Sequence, residues 1–171
     1  MVSRWKIYLC WKKATNHLHH HFIDMNQHPN PIETLRRART ILLVDWPDQS
    51  VPRKLINTGF TVFGFSPNGY TSARLIADPK ADQRQFPPRK DEQGYLVFEK
   101  LEDSPFEVDI VNVFRPDDEL EKIVQKQVIP LKAKTLWLHP PLTSRQAGLI
   151  ASEHGIAFIE GTDISACADE I

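Results

Sequence analysis

Glycine is scarce in this chain. Seven of its 171 residues are glycine and thirteen are proline, so glycine stands at about 4% against a usual ~7%, and proline at about 7.6% against ~5%. That scarcity disfavours a function built on a glycine-rich phosphate loop, and neither GxGxxG nor a Walker pattern occurs. Phosphate binding by other backbone geometry stays open. Cysteine is nearly absent: Cys10 and Cys167 lie far apart and form no CxxC pair, which disfavours a disulfide framework or a cysteine-based zinc site. An excess of one charge is also lacking. Lys and Arg (21) balance Asp and Glu (22) to a net −1, so no bulk electrostatic case for nucleic acid exists. No apolar run approaches the ~20 residues that cross a bilayer, and Ile7-Tyr8-Leu9-Cys10 is too short for a signal-peptide core. Neither nucleic acid nor membrane is expected as a partner, and the default location is cytoplasmic.

What remains is ordinary for a globular domain: 41% apolar and 25% charged residues. Residues 1–29 differ from the rest. They are basic and carry His17, His19, His20 and His21. A His-rich tract is compositional evidence only, so this stretch is read as a weakly structured extension rather than a metal centre, and the domain as residues 30–171. Order is expected from Asn30, an N-cap with Pro31 at the first helical position and Glu33 completing a capping box. Apolar strand runs then alternate with helices. The strands are 40–44, 60–65, 107–114, 134–138 and 156–159. The helices are 51–58, 117–128 and one opening on a Thr143-Ser144-Arg145-Gln146 capping box and ending at Gly155. Tyr70–Ile76 and Gly94–Phe98 are read as an extra hairpin at a sheet edge, and 77–94 as a long polar loop. The alternation predicts a Rossmann-like three-layer α/β/α domain with a mostly parallel five-stranded sheet in the order 3-2-1-4-5.

In such a sheet, ligands bind beyond the carboxyl ends of the strands, where the strand order switches. The candidate segments are therefore Asp45–Ser50, Ser66–Tyr70, Phe114–Asp117, His139–Ser144 and Glu160–Asp163. Four of the five contain proline. The second strand ends in Ser66-Pro67-Asn68, without the acidic residue that takes a dinucleotide's ribose hydroxyls, which disfavours an NAD-type oxidoreductase.

The ordered set of segments resembles the small stand-alone CoA-binding proteins, whose Rossmann-like domain is related to that of the succinyl-CoA ligase α subunit. The residues that carry the likeness are Asp45-Trp46-Pro47 with Val51-Pro52, then Gly59-Phe60-Thr61-Val62 leading to Pro67. They continue with Val108 through Pro116, similar to the family's "vD-V-VFR-P" strand and turn, then Ala133-Lys134-Thr135-Leu136-Trp137 and Glu153-His154-Gly155-Ile156. The likeness covers roughly residues 38–163. It implies that CoA or acyl-CoA is the ligand. Asp45, Trp46, Pro47 and Ser50 would meet the diphosphate with Arg53 nearby. Pro67 and Asn68 would border the adenosine. Phe114, Arg115 and Pro116 would line the adenine or ribose pocket, and His139 and Pro140 would close the other side. Lys80, Arg84, Arg89 and Lys90 of the long loop are candidates for the 3′-phosphate. The family places a glycine directly after the first strand, where this chain has Asp45.

Each of these residues also has a plainer reading. Arg115 can salt-bridge Asp117 or Asp118, Trp46 can simply pack, and His154 can act as a helix-dipole partner. Two carboxylates, Asp45 and Asp48, make weak evidence for Mg²⁺, and no metal is expected. The leading expectation is a CoA-binding protein without demonstrable chemistry. One alternative is a small transferase or reductase using His139. Another is a module that has lost its ligand and serves protein–protein interaction, with a homodimer as the assembly to test.

Overall fold

The computed structural model describes residues 29–77, 90–91, 94–105 and 107–171. The basic extension up to residue 28 and most of the polar loop between 77 and 94 lie outside these residues. Helix α1 (Pro31–Arg37) begins as its cap dictates, with Asn30 Oδ1 accepting from the Glu33 N–H at 3.1 Å. Strand β1 (Thr40–Val44) is buried on both faces from Ile41 onward, as a continuous apolar run in a central parallel strand must be. Helix α2 (Ser50–Asn57) leads to β2 (Thr61–Ser66). The chain then turns through Pro67-Asn68 into β3 (Gly69–Ile76), with Gly69 at φ +106°, a conformation glycine takes freely. The short β4 (Lys90–Asp91) and β5 (Gly94–Lys100) follow, then β6 (Ile110–Val113), α3 (Asp117–Ile123), β7 (Thr135–Leu138), α4 (Arg145–Glu153), β8 (Ala157–Ile159) and α5 (Ile164–Ala168).

These strands form one eight-stranded sheet in the order β4-β5-β3-β2-β1-β6-β7-β8. β2, β1, β6, β7 and β8 are mutually parallel, and β3 and β5 add antiparallel pairs. The Rossmann-like α/β/α class and the extra hairpin stand. The expected order does not. The third parallel strand, β6, pairs with β1 instead of lying outside β2. The reason is the two-residue turn Pro67-Asn68. It returns the chain antiparallel along β2's outer edge, Phe63 opposite Ser72 and Ser66 opposite Gly69. That edge is therefore filled, and β6 takes the free side of β1. The switch in strand order, and with it the expected ligand crevice, falls between β1 and β6.

The sheet separates two cores. One lies under α3 and α4 and includes Leu42, Val44, Val111, Val113, Leu120, Leu136 and Ile150. The other lies under α1, α2 and α5 and includes Leu35, Ile41, Leu43, Leu55, Trp137 and Ile164. Period-2 alternation assigns the partners: Leu42 and Leu43 go to opposite faces. α3 runs on into a π-helical turn, Val124–Val128, closed by Ile129 N–H to the Val124 carbonyl at 3.0 Å. α4 is capped by Ser144, whose hydroxyl accepts from the Ala147 N–H, one residue later than the capping box read at Thr143. α5 was not expected. Its cap Asp163 accepts from both the N–H and the hydroxyl of Ser165, at 2.7 and 2.8 Å.

At the amino edge, Asp109 ties three strands together. Its Oδ2 accepts from the N–H groups of Arg39 (2.7 Å) and Thr40 (3.0 Å) and from the Thr40 hydroxyl (3.1 Å). Its Oδ1 accepts from Lys134 Nζ (2.7 Å). Burial pushes this carboxyl up, but the bonds from Lys134, Arg39 and Thr40 outweigh it and bring its pKa down to about 2.

Candidate functional site

The carboxyl edge is built differently. β1 leaves the sheet at Asp45, whose φ is +64°. This is the left-handed region, which Asp tolerates and glycine prefers. The backbone therefore takes a conformation that glycine adopts freely, while the side chain adds a carboxylate. Asp45 Oδ1 accepts from the Trp46 N–H at 2.9 Å, and Oδ2 accepts from Arg115 Nη1 at 3.1 Å. Arg115 follows β6, so this ion pair bridges the two strands that flank the switch. The guanidinium also holds Glu119 in a fork, Nε to Oε2 at 3.0 Å and Nη2 to Oε1 at 2.8 Å. The bonds from Arg115 lower the pKa of Glu119, and those to Glu119 and then Asp45 raise that of Arg115. The plainer reading of Arg115 thus holds in kind, with Asp45 and Glu119 as partners instead of Asp117 or Asp118.

Beneath this clamp opens a cleft of about 550 Å³, within the usual range of small-molecule sites. Val44, Phe65 and Ile123 give it apolar walls, and Trp46, Ser66 and Pro67 form its mouth. Trp46 is held in place by stacking on Phe98, with centroids 4.8 Å apart and planes at 14°. The helical wall consists of Glu119, Lys122, Lys126 and Gln127, with Gln127 Oε1 accepting a hydrogen bond from the Tyr70 hydroxyl. These wall residues were not among the sequence candidates. They lie beside the apolar stripe Leu120, Ile123, Val124 and Val128, and their spacing of 119, 122, 126 and 127 marks one helix flank.

The twelve expected contacts divide by sheet face. Asp45, Trp46, Pro67 and Arg115 line the cleft. Pro47 and Asn68 sit exposed in the turns beside it, and Pro116 precedes the first residue of α3. Ser50 and Arg53 line a shallow groove on α2 with Lys54, Asn57, Thr58 and Asp169, and Arg53 Nη1 donates to the Gly94 carbonyl at 3.0 Å. The α2 N-terminus is partly taken, because Asp48 Oδ1 accepts from the Ser50 N–H at 2.7 Å and Pro52 has no N–H to offer. Phe114 turns to the α2 and α5 face, where it meets His139 edge-on at 5.6 Å. Pro140 follows and joins Pro141 through a cis peptide bond.

His139 is 5% exposed, and its backbone N–H donates to the Val113 carbonyl at 2.9 Å. Its Nδ1 has no hydrogen-bond partner among the described residues and lies 4.0 Å from Asp163 Oδ1. Burial lowers its pKa, against the opposing pull of Asp163 and Asp48, which favours the neutral ring. Among the described residues no group of three or more His, Cys, Asp or Glu is placed to hold a metal, and no helix is long and apolar enough to cross a membrane.

Comparison with known proteins fits this geometry. The fold matches cell-free ID.343 from Thermus thermophilus with a TM-score of 0.53, at 20% identity over 83% of this chain and 98% of that one. It matches a hypothetical protein from Pyrococcus horikoshii OT3 with a TM-score of 0.56, at 17% identity over 86% of this chain and 94% of the other. No curated protein matches significantly. The family model of the CoA binding domain matches residues 50–164, well over half of the chain. The chain belongs to the CoA binding domain family.

Proposed function

We propose that this protein binds CoA or an acyl-CoA at the carboxyl edge of its sheet, as a binding module and not as an enzyme. Family membership supports the ligand class. The observation that carries the placement is the cleft of Val44, Phe65, Arg115 and Ile123 at the switch between β1 and β6. Its apolar walls suit adenine, and Trp46 offers an aromatic surface at the mouth. From there the diphosphate runs over Asp45–Ser50 towards the N-terminus of α2. Asp45 and Asp48 oppose an anion on this path. A phosphate gains the Ser50 N–H only by displacing Asp48. The absence of catalysis is favoured by the burial of His139, whose ring nitrogen Nδ1 faces Asp163 rather than the cleft.

Calorimetric titration with CoA, acetyl-CoA, NAD⁺ and ATP tests the reading. The expected result is binding of the CoA species in preference to the other two. No heat with either CoA species at near-millimolar ligand overturns it. Turnover of an acyl-CoA that is lost in His139→Ala would replace the binding module with an enzyme.

A further inference from the structure

We propose that Lys122 and Lys126 recognise the 3′-phosphate of the CoA nucleotide and thereby set its preference over adenine nucleotides lacking that group. The inference rests on the CoA reading above. Five charged side chains line the cleft: Asp45, Arg115, Glu119, Lys122 and Lys126. Three of them are engaged with one another, since Arg115 holds Asp45 and Glu119 through charge-assisted bonds of 2.8–3.1 Å. The remaining field is that of the two lysines. They lie on successive turns of the same helical wall, both exposed. Glu119, whose charge Lys122 feels, is already held by Arg115, and neither lysine forms an ion pair among the described residues.

A ligand with adenine between Phe65 and Ile123 has two anionic branches. The 5′-diphosphate leads to the Asp45–Ser50 turn. The 3′-phosphate, a monoester carrying close to two negative charges at neutral pH, branches from the other side of the ribose and meets the helical wall. Two cations on long flexible stems can both reach a dianion at this wall, and an arginine at either position keeps the charge and can bind phosphate as well. The widening of the helix at Val124–Val128 belongs to the same wall, and π-helical turns often occur at functional sites.

The experiment compares CoA with 3′-dephospho-CoA by calorimetry at low ionic strength. It uses the full chain, the Lys122→Ala/Lys126→Ala variant and the Lys122→Arg/Lys126→Arg variant. Both lysines are exposed, and a thermal melt verifies that each variant is folded. For the unaltered protein a preference for CoA of about tenfold is expected from two charge-assisted contacts. The alanine variant should bring the two ligands to near equality with the 3′-dephospho-CoA affinity unchanged, and the arginine variant should keep the preference. A preference that persists in the alanine variant, or one never present in the unaltered protein, overturns the lysine assignment while leaving CoA binding intact. Failure of the unaltered protein to bind either ligand overturns both readings.

Discussion

The two edges of this sheet spend their polar groups differently. At the amino edge, Asp109 is 15% exposed and gathers four donors from Arg39, Thr40 and Lys134. At the carboxyl edge, Asp45 holds a left-handed backbone, and Asn112 Oδ1 and His139 Nδ1 are buried without hydrogen-bond partners among the described residues. Saturated hydrogen bonding fixes register. Strain and unmet capacity gather where structure yields to binding. Both edges carry an aspartate in the segments that mark the family resemblance. One holds strands together, and the other stands at the mouth of a cleft.

If that contrast holds, substitutions at the two edges move different observables. The largest change in stability is expected from Asp109→Asn. It keeps the shape and removes the charge that four donors stabilise, and should cost about 2.5 kcal/mol at pH 7, the equivalent of a carboxyl moved from ~3.9 unfolded to about 2 folded. Because the folded pKa is the lower one, this stabilisation is complete above about pH 5 and disappears as pH falls towards 2. Urea melts at pH 7 and pH 3 check this: the variant should lose the pH dependence, and its CoA affinity should match the parent. An unchanged melting curve at pH 7 would mean that Asp109 is not the tie.

Asp45→Gly sharpens the contrast from the other side. Glycine removes a left-handed cost of about 1 kcal/mol, while the substitution also loses a half-exposed ion pair with Arg115 worth at most ~1 kcal/mol. Stability should therefore move by less than about 1 kcal/mol, the two terms offsetting. Affinity for CoA should rise about threefold or more, because a carboxylate leaves the path of an anion. A fall in affinity would show that the Asp45–Arg115 pair organises the site instead of restraining it.

The smallest effect concerns His139. Its folded pKa lies below the unfolded value, so the unfolded chain takes up the proton first. Stability should fall as pH drops through about 6.5 towards the lower folded value. His139→Gln should flatten this part of the curve. An identical slope in the variant would assign the titration elsewhere.

Much of the fold was legible because burial leaves a plain trace. Thr40–Val44 and Thr135–Leu138 read as central strands from continuous apolar runs, and Asn30 announced α1. Strand order was not legible, because apolar character specifies the layer a strand occupies but not the edge it pairs with. That choice depended on the two-residue turn at Pro67-Asn68. The loops of the candidate site were legible from position alone, at the ends of parallel strands. Their division between two faces was encoded in the alternation that sends Arg115 towards α3 and Phe114 towards His139, and reading it would have separated the twelve candidates. Lys122 and Lys126 are not legible as site residues because a solvated helix flank and a cleft wall have the same composition. Only the neighbouring β2 exit distinguishes them.

The contrast between the two edges assigns ligand binding to the carboxyl one. Titrating CoA into ¹⁵N-labelled protein and following the backbone amides tests it most directly. Shifts are expected at Asp45, Trp46, Ser50, Ser66, Arg115 and Glu119, with the amides of Arg39, Thr40, Asp109 and Lys134 unmoved. Shifts centred on those last four residues, or none anywhere, would contradict it.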